Sequence, residues 1–318
     1  MTIGLKYGVS GTFHLERRKV DTCELVERTG PCRNLVVASG LDMWMTIANI
    51  RLGAVVGTGN APVLMSDRSL SNFRAGQSTP QGVPVISSQT TTAPYWNRKT
   101  MRWRFAQGQA TGNISEVGAA YTTGANPTSG STLYSRALVR DGSGNPTTIT
   151  ILPDEFLDVV YTHTTYCPPD NTGVCIFTID GSPSEHAYVA RCSQVGEVSW
   201  SGPSENNALG ALIPLAAGSG FAYSAAFTGG ISAAVSGLPS GTRSNADSMS
   251  SQGYTEGTFT RSFSFQFGLN SANFSIQSVL YFSHGPRVQV QYSPAIPKTS
   301  AHQMRFDFTV SVANYEGP

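Results

Sequence analysis

Met101-Arg102-Trp103-Arg104-Phe105 alternates apolar and basic side chains with a period of two. That is the pattern of a strand with one face in a core and the other in water. It places Trp103 and Phe105 inside and Arg102 and Arg104 outside. Further extended runs follow at Asn113 to Tyr121, Thr132 to Arg140, Thr147 to Leu152 and Phe156 to Thr164, with a tight turn at DGSGNP, Asp141 to Pro146. Upstream, Tyr7 to Val20 alternates loosely, and Cys23 to Arg33 reads as a hairpin turning at Thr29-Gly30-Pro31. One segment departs from this pattern. In SGLDMWMTIANIRL, Ser39 is placed to cap a helix, Asp42 falls in its first turn, and Leu41, Trp44, Met45 and Ala48 share a face, so a short helix is expected over Leu41 to Ile50, plugging one end of a sandwich.

The reading is therefore all-β: two tandem β-sandwich domains, residues 1–165 with the short helix and residues 166–318, joined near Cys167 through the turn-rich Tyr166 to Gly173. The second set of strands begins at Cys175 to Ile179, and Gly218 to Ser251, rich in Gly, Ser and Ala, reads as long surface loops. An internal echo supports the division. At an offset of 160, Trp103 to Phe105 meets Phe263 to Phe265, and Gly108, Asn113, Ser115 and Tyr121 meet Gly268, Asn273, Ser275 and Tyr281.

Composition narrows the function. Charged residues are 13% of 318, about half the usual roughly 25%. A net charge of +1 argues against a nucleic-acid binder, which needs a basic surplus to release counterions. No run approaches the 18 or so apolar residues of a membrane-spanning helix, so no membrane insertion is expected, and Met1 to Lys6 does not open a secretion leader. His14, His163, His186, His284 and His302 sit in no nucleophile elbow or H-E-x-x-H pair. The carboxylates Asp154, Glu155 and Asp158 read as a solvated turn, and GTGNAP lacks the lysine of a phosphate loop. No catalytic residue, cofactor or metal is expected. Tyr95 and Trp96, following Pro94, are candidates for surface contacts with a glycan.

Five cysteines leave three readings: local disulfides, buried thiols, or a metal site whose spacing is poor. Cys23 with Cys32, and Cys167 with Cys175, each bracket a segment containing Gly or Pro, so these are the expected disulfides, with Cys192 buried or left for a neighbouring chain.

Four blocks carry a resemblance: NLVVASGLDMW; VVGTGNAPVLMSDRSL; GNISEVGAAY; and LYSRALVRDGSGNPTTITILPDEFLDVVY. In this order, across Gly11 to Thr165, they resemble structural proteins of the tail, fibre and neck of tailed bacteriophages. The cysteine-bracketed loop at Cys23 to Cys32 departs from that pattern. The resemblance implies a virion protein rather than an enzyme. Its partners would be copies of itself, other tail, neck or head proteins, and a host surface receptor if it sits on a fibre. A glycan-binding adhesin and a capsid decoration protein are the alternatives, with a glycan depolymerase further off.

Overall fold

Residues Ile3, Leu5, Tyr7, Val9, Phe13 and Leu15 are buried while the even-numbered residues from Thr2 to His14 are not, so a single long strand, β1 (Thr2–Lys19), presents one apolar side chain after another to a core. The structure, a computed structural model, describes residues 2–47, 50–179, 181–196, 224–281 and 287–317. The first half continues with β2 (Leu25–Arg28), β3 (Cys32–Arg33), β4 (Leu35–Val36), helix α1 (Ala38–Thr46), β5 (Leu52–Gly57) and β6 (Phe73–Gln77). Then come β7 (Val85–Gln89), β8 (Trp96–Phe105), β9 (Gly112–Ile114), β10 (Glu116–Tyr121), β11 (Leu133–Leu138), β12 (Ile149–Ile151) and β13 (Glu155–Tyr166). The second half holds β14 (Asn171–Ile179), β15 (Ser182–Ser193), β16 (Ala225–Phe227), β17 (Arg243–Asn245) and β18 (Ser248–Ser251). It closes with β19 (Thr260–Phe267), β20 (Ser275–Tyr281), β21 (Arg287–Pro297) and β22 (Met304–Asn314).

The chain is all-β with one short helix among the described residues. A nine-stranded sheet runs β18-β19-β22-β1-β13-β8-β7, with β2 and β3 also paired to β1. A five-stranded sheet, β4-β11-β10-β5-β6, and a six-stranded sheet, β14-β15-β21-β20-β16-β17, complete the sandwiches. Both smaller sheets cover the same face of the large one. Tyr134 of β11 meets His163 of β13 at 5.6 Å, and Tyr281 of β20 stacks on Phe308 of β22 at 4.4 Å. His163 lies opposite Gly11, and Phe308 opposite Ile3, on the odd-numbered face of β1. The other face of the large sheet stays open and polar, as antiparallel sheets allow.

The two halves repeat one topology. The antiparallel pairs β4·β11, β10·β11, β5·β10, β5·β6, β7·β8 and β8·β13 recur as β15·β21, β20·β21, β16·β20, β16·β17, β18·β19 and β19·β22. The offset of 160 lays Trp103 of β8 on Phe263 of β19 and Tyr121 of β10 on Tyr281 of β20. The halves are joined as well as repeated: β1 pairs in parallel with β22, Thr2 opposite Asp307 through Val9 opposite Asn314. One core then runs from Ile3 to Val312 through both sandwiches.

Two local expectations are corrected. The helix covers Ala38–Thr46 rather than Leu41 to Ile50, and residues 48 and 49 lie outside the described ones. Ser39 does not cap it; its hydroxyl donates to the Leu133 carbonyl at 2.7 Å, and Asp42 accepts from Tyr254 Oη and the Gly257 N–H of the second half. Tertiary partners outcompeted the local cap. Gly40 is obligatory, because a Cβ there would lie 2.0 Å from the Tyr134 carbonyl oxygen. The hairpin turn is not at Thr29 to Pro31 either. The chain reverses just after Lys19, where Lys19 N–H donates to the Glu24 carbonyl at 3.0 Å. Residues 25–33 then run back along β1, Arg28 opposite Glu16 and Cys32 opposite Phe13.

Candidate functional site

Three of the four blocks that carry the resemblance meet at one buried ion-pair clasp. Glu116 opens β10 and Arg136 sits within β11, and they are 0% and 2% exposed. They meet at 2.8 Å. Arg136 also reaches Asp67 at 2.7 Å, the carbonyls of Ala61 and Pro62, and Ser71 Oγ. Glu116 accepts from the backbone N–H groups of Asn72 (2.7 Å), Ser71 (3.1 Å) and Gly59 (3.1 Å). Burial works against the Glu116 charge, but the Asn72 and Ser71 amides and the Arg136 guanidinium outweigh it and hold its carboxyl below the usual range. Residues 58–72 are thereby strapped over the outside of the five-stranded sheet. The motif residues hold a loop; they leave no free carboxylate there.

A second charged cluster lies on the open face of the large sheet. His14, Glu16 and Arg18 alternate along β1, and opposite them stand Arg28 of β2, Asp158 of β13 and Arg102 and Arg104 of β8. Asp158 is fully buried beneath Arg104 at 2.8 Å, Arg102 at 3.4 Å and Arg18 at 3.7 Å. Glu16 is held by Arg18 at 2.8 Å and Arg102 at 3.4 Å. Burial disfavours its charge, yet the Arg18 hydrogen bond and the Arg102 and Arg18 charges keep it below the ordinary carboxylate value. Glu155 is also buried, beside Lys19 at 3.2 Å and Arg17 at 3.6 Å. Of the three carboxylates expected in a solvated turn, only Asp154 is exposed; Glu155 and Asp158 lie on opposite faces of β13, the first beside Arg17 and Lys19 of β1 and the second under Arg102 and Arg104 of β8. Beyond the cluster the face is hydroxyl-rich, with Thr100 bonded to Thr162 at 2.9 Å and Ser250 to Ser264 at 2.7 Å.

Trp103 and Phe105 are in the core, as the alternation requires, with Arg102 and Arg104 opposite. Tyr95 and Trp96 separate. Tyr95 is half-buried against Cys167, Cys192, Val195 and Val235, whereas Trp96 lies on the open face with the Arg98 guanidinium 4.1 Å above its ring. His163 is sealed between Tyr161 Oη at 3.3 Å and Thr165 Oγ1 at 3.2 Å. Burial, with the Lys99 charge, pushes it down to about 3. His284 lies outside the described residues.

The expected disulfides are corrected: all five cysteines are free thiols. Cys23 is exposed at the end of the β1 turn, while Cys32 is buried opposite Phe13, some six residues and so roughly 20 Å farther along β1. Gly30 and Pro31 do not turn the chain back. Cys167 stays with the large sheet, its N–H donating to the Tyr95 carbonyl at 2.9 Å, while Cys175 is in the middle of β14 opposite His186. The segment between them crosses from one sheet to the other. It is Cys192, not Cys175, that lies against Cys167, and burial followed by that neighbour raises the Cys192 thiol well above its ordinary value.

No family model, no curated protein and no solved structure matches this chain.

Proposed function

We propose that this chain is a structural protein of a tailed-bacteriophage virion: an oligomeric component of the tail or neck, with capsid decoration as the alternative position. The observation that carries this reading is the clasp. The residues through which the chain resembles virion proteins, Glu116 in SEVG, Arg136 in SRALV and Asp67 in SDRSL, are engaged, with Ser71 just beyond that last stretch, in fastening a loop to a sandwich. A motif used for holding shape is what a scaffold subunit needs. The broad open face, lined by Thr and Ser beyond a cluster in which arginines outnumber carboxylates, suits packing against neighbouring subunits through hydroxyl and charged contacts. Its partners are then copies of itself and other particle proteins.

Host attachment is the second reading, and Trp96 under Arg98 on the open face favours it, since an aromatic beside a guanidinium can receive a sugar ring. Mass spectrometry of purified particles tests the first reading. The chain should be present at a fixed copy number that is a multiple of three or six, and density for paired sandwiches should appear in an electron cryomicroscopy map of the particle. Absence from particles that are infectious and complete would overturn it.

A further inference from the structure

We propose that the outer edge of β14 is a self-association site, where a second copy of this chain pairs its own β14 antiparallel about Cys175 and fuses the two six-stranded sheets. β14 is the strand that the internal repeat does not account for: it extends its sheet one strand beyond β15, whose counterpart β4 is itself an edge. Only its β15 side is laddered, Asn171 opposite Ala190 through Ile179 opposite Ser182, and no described residue pairs with its other side.

Edges are normally shielded by charge, proline or shortness. β14 has none of these. Over nine residues, NTGVCIFTI, it carries no charged residue and no proline, whereas the edge strands β6 and β17 carry Arg74 and Arg243, and β4 and β18 are two and four residues long. Val174 and Ile176 are exposed at 49% and 58% on its outward face. Beside its inner face lies a cavity of about 580 Å³, walled by Cys175, Phe177, Tyr292, Met304 and Phe306, which an added strand would roof.

The occupant follows from self-complementarity. A two-fold axis at Cys175 sets Val174 opposite Ile176 and Thr172 opposite Thr178 of the second copy, on the outward face. Both are favourable cross-strand pairs. No like charges meet anywhere along the strand, and Asp170 at its N-terminal end is already neutralised by Arg191 at 2.8 Å. Nine paired residues span roughly 30 Å along the shared edge. The inference deepens the oligomeric part of the proposed function and needs nothing of the virion assignment.

Sedimentation velocity of the full chain over a hundredfold concentration range should show a monomer–dimer equilibrium. Ile176→Lys, whose side chain is mostly in water in the monomer, should weaken it about tenfold or more with an unchanged melting temperature, while Val83→Lys, at an exposed site far along the chain, should leave it intact. Register is read by disulfide trapping in a Cys23→Ser, Cys175→Ala background, because the axis also sets the Cys175 thiols of the two copies face to face. Val174→Cys chains mixed with Ile176→Cys chains should cross-link to each other, and neither to itself, because residues 174 and 176 face each other across the axis within disulfide reach. A chain monomeric at every concentration, a dimer indifferent to Ile176→Lys, or trapping without this preference overturns the inference. An oligomer built through another surface would do so while leaving the virion reading standing, and presence in particles is scored separately.

Discussion

Arg136→Ala tests the clasp directly. The substitution leaves Glu116 buried at 0% exposure with its carboxylate facing three backbone N–H groups and no counter-charge, and it frees Asp67 and the loop carbonyls of Ala61 and Pro62. Deleting one member of a buried pair costs roughly 3–5 kcal/mol. At roughly 2–4 °C per kcal/mol for a chain of this size class, the melting temperature should fall by roughly 6–20 °C. Glu116→Gln removes the charge from the other side, and because the two groups touch, the double variant should cost less than the sum of the singles by about 1–3 kcal/mol. Acid adds a second readout. The folded carboxyl of Glu116 lies below its ordinary 4.5, so its stabilisation is complete above that value and is lost as pH falls through the lower folded value. Glu116→Gln should flatten this acid limb. Urea unfolding of the four proteins at neutral pH and at pH near 4 supplies all these numbers, and limited proteolysis should show residues 58–72 cut first in Arg136→Ala. A loss under about 1 kcal/mol for Arg136→Ala, or additive singles, would refute the clasp as the fastening of that loop.

Three further outcomes follow. Alkylation of the native protein without reductant should label Cys23 alone, and mild oxidation should join Cys167 to Cys192; a recovered Cys167–Cys175 peptide would show that the crossover between sheets is misplaced. His163, pushed down to about 3, is neutral in the folded chain while the unfolded chain protonates near 6.5, so its contribution is intact above 6.5 and lost as pH falls toward 3; His163→Gln should shallow the decline of the urea midpoint between those values. Trp96→Ala should alter stability by less than about 1 kcal/mol, since the ring lies on the open face; loss of glycan-array or host-cell binding in that variant would favour attachment, and unchanged binding would remove Trp96 from it.

How much of this was legible in the sequence depended on the range of the interaction that decides each feature. Period-two alternation is a local signal. It located β8 from Trp103 and Phe105, whereas β10, β11 and β13, buried along nearly their whole length, show as extended runs and not by alternation. The Cys32 and Asp154–Asp158 readings failed where a distant partner decides. Gly30 and Pro31 look like a turn, yet Gly30 donates to the Arg140 carbonyl at 2.9 Å and the strand runs on beside β1. Glu155 and Asp158 look like a solvated acidic turn until β1 and β8 lay Arg17, Lys19, Arg18, Arg102 and Arg104 over them. Glu116 and Arg136 did leave a trace, each the single charge of a strand otherwise uncharged, twenty residues apart. A buried charge requires a partner, so that pair could have been matched before any coordinates.

The parallel contact of β1 with β22 is the feature that no local pattern carries. A duplicated unit predicts two sandwiches; it does not say whether they are beads on a string or one body. Strand β1 supplies the answer by belonging to neither copy of the repeat and pairing with both, Thr2 to Val9 with β22 and Gly8 to Lys19 with β13. Its odd-numbered side chains pack into each sandwich in turn, Phe13 stacked on Tyr161 at 4.4 Å in the first and Ile3 opposite Phe308 in the second. Cutting this strand from the chain would therefore open both cores together, because every inward residue from Ile3 to Leu15 is shared property of the large sheet. The same continuity makes the open polar face one surface seven strands wide, which two independently hinged sandwiches could not present to a neighbour.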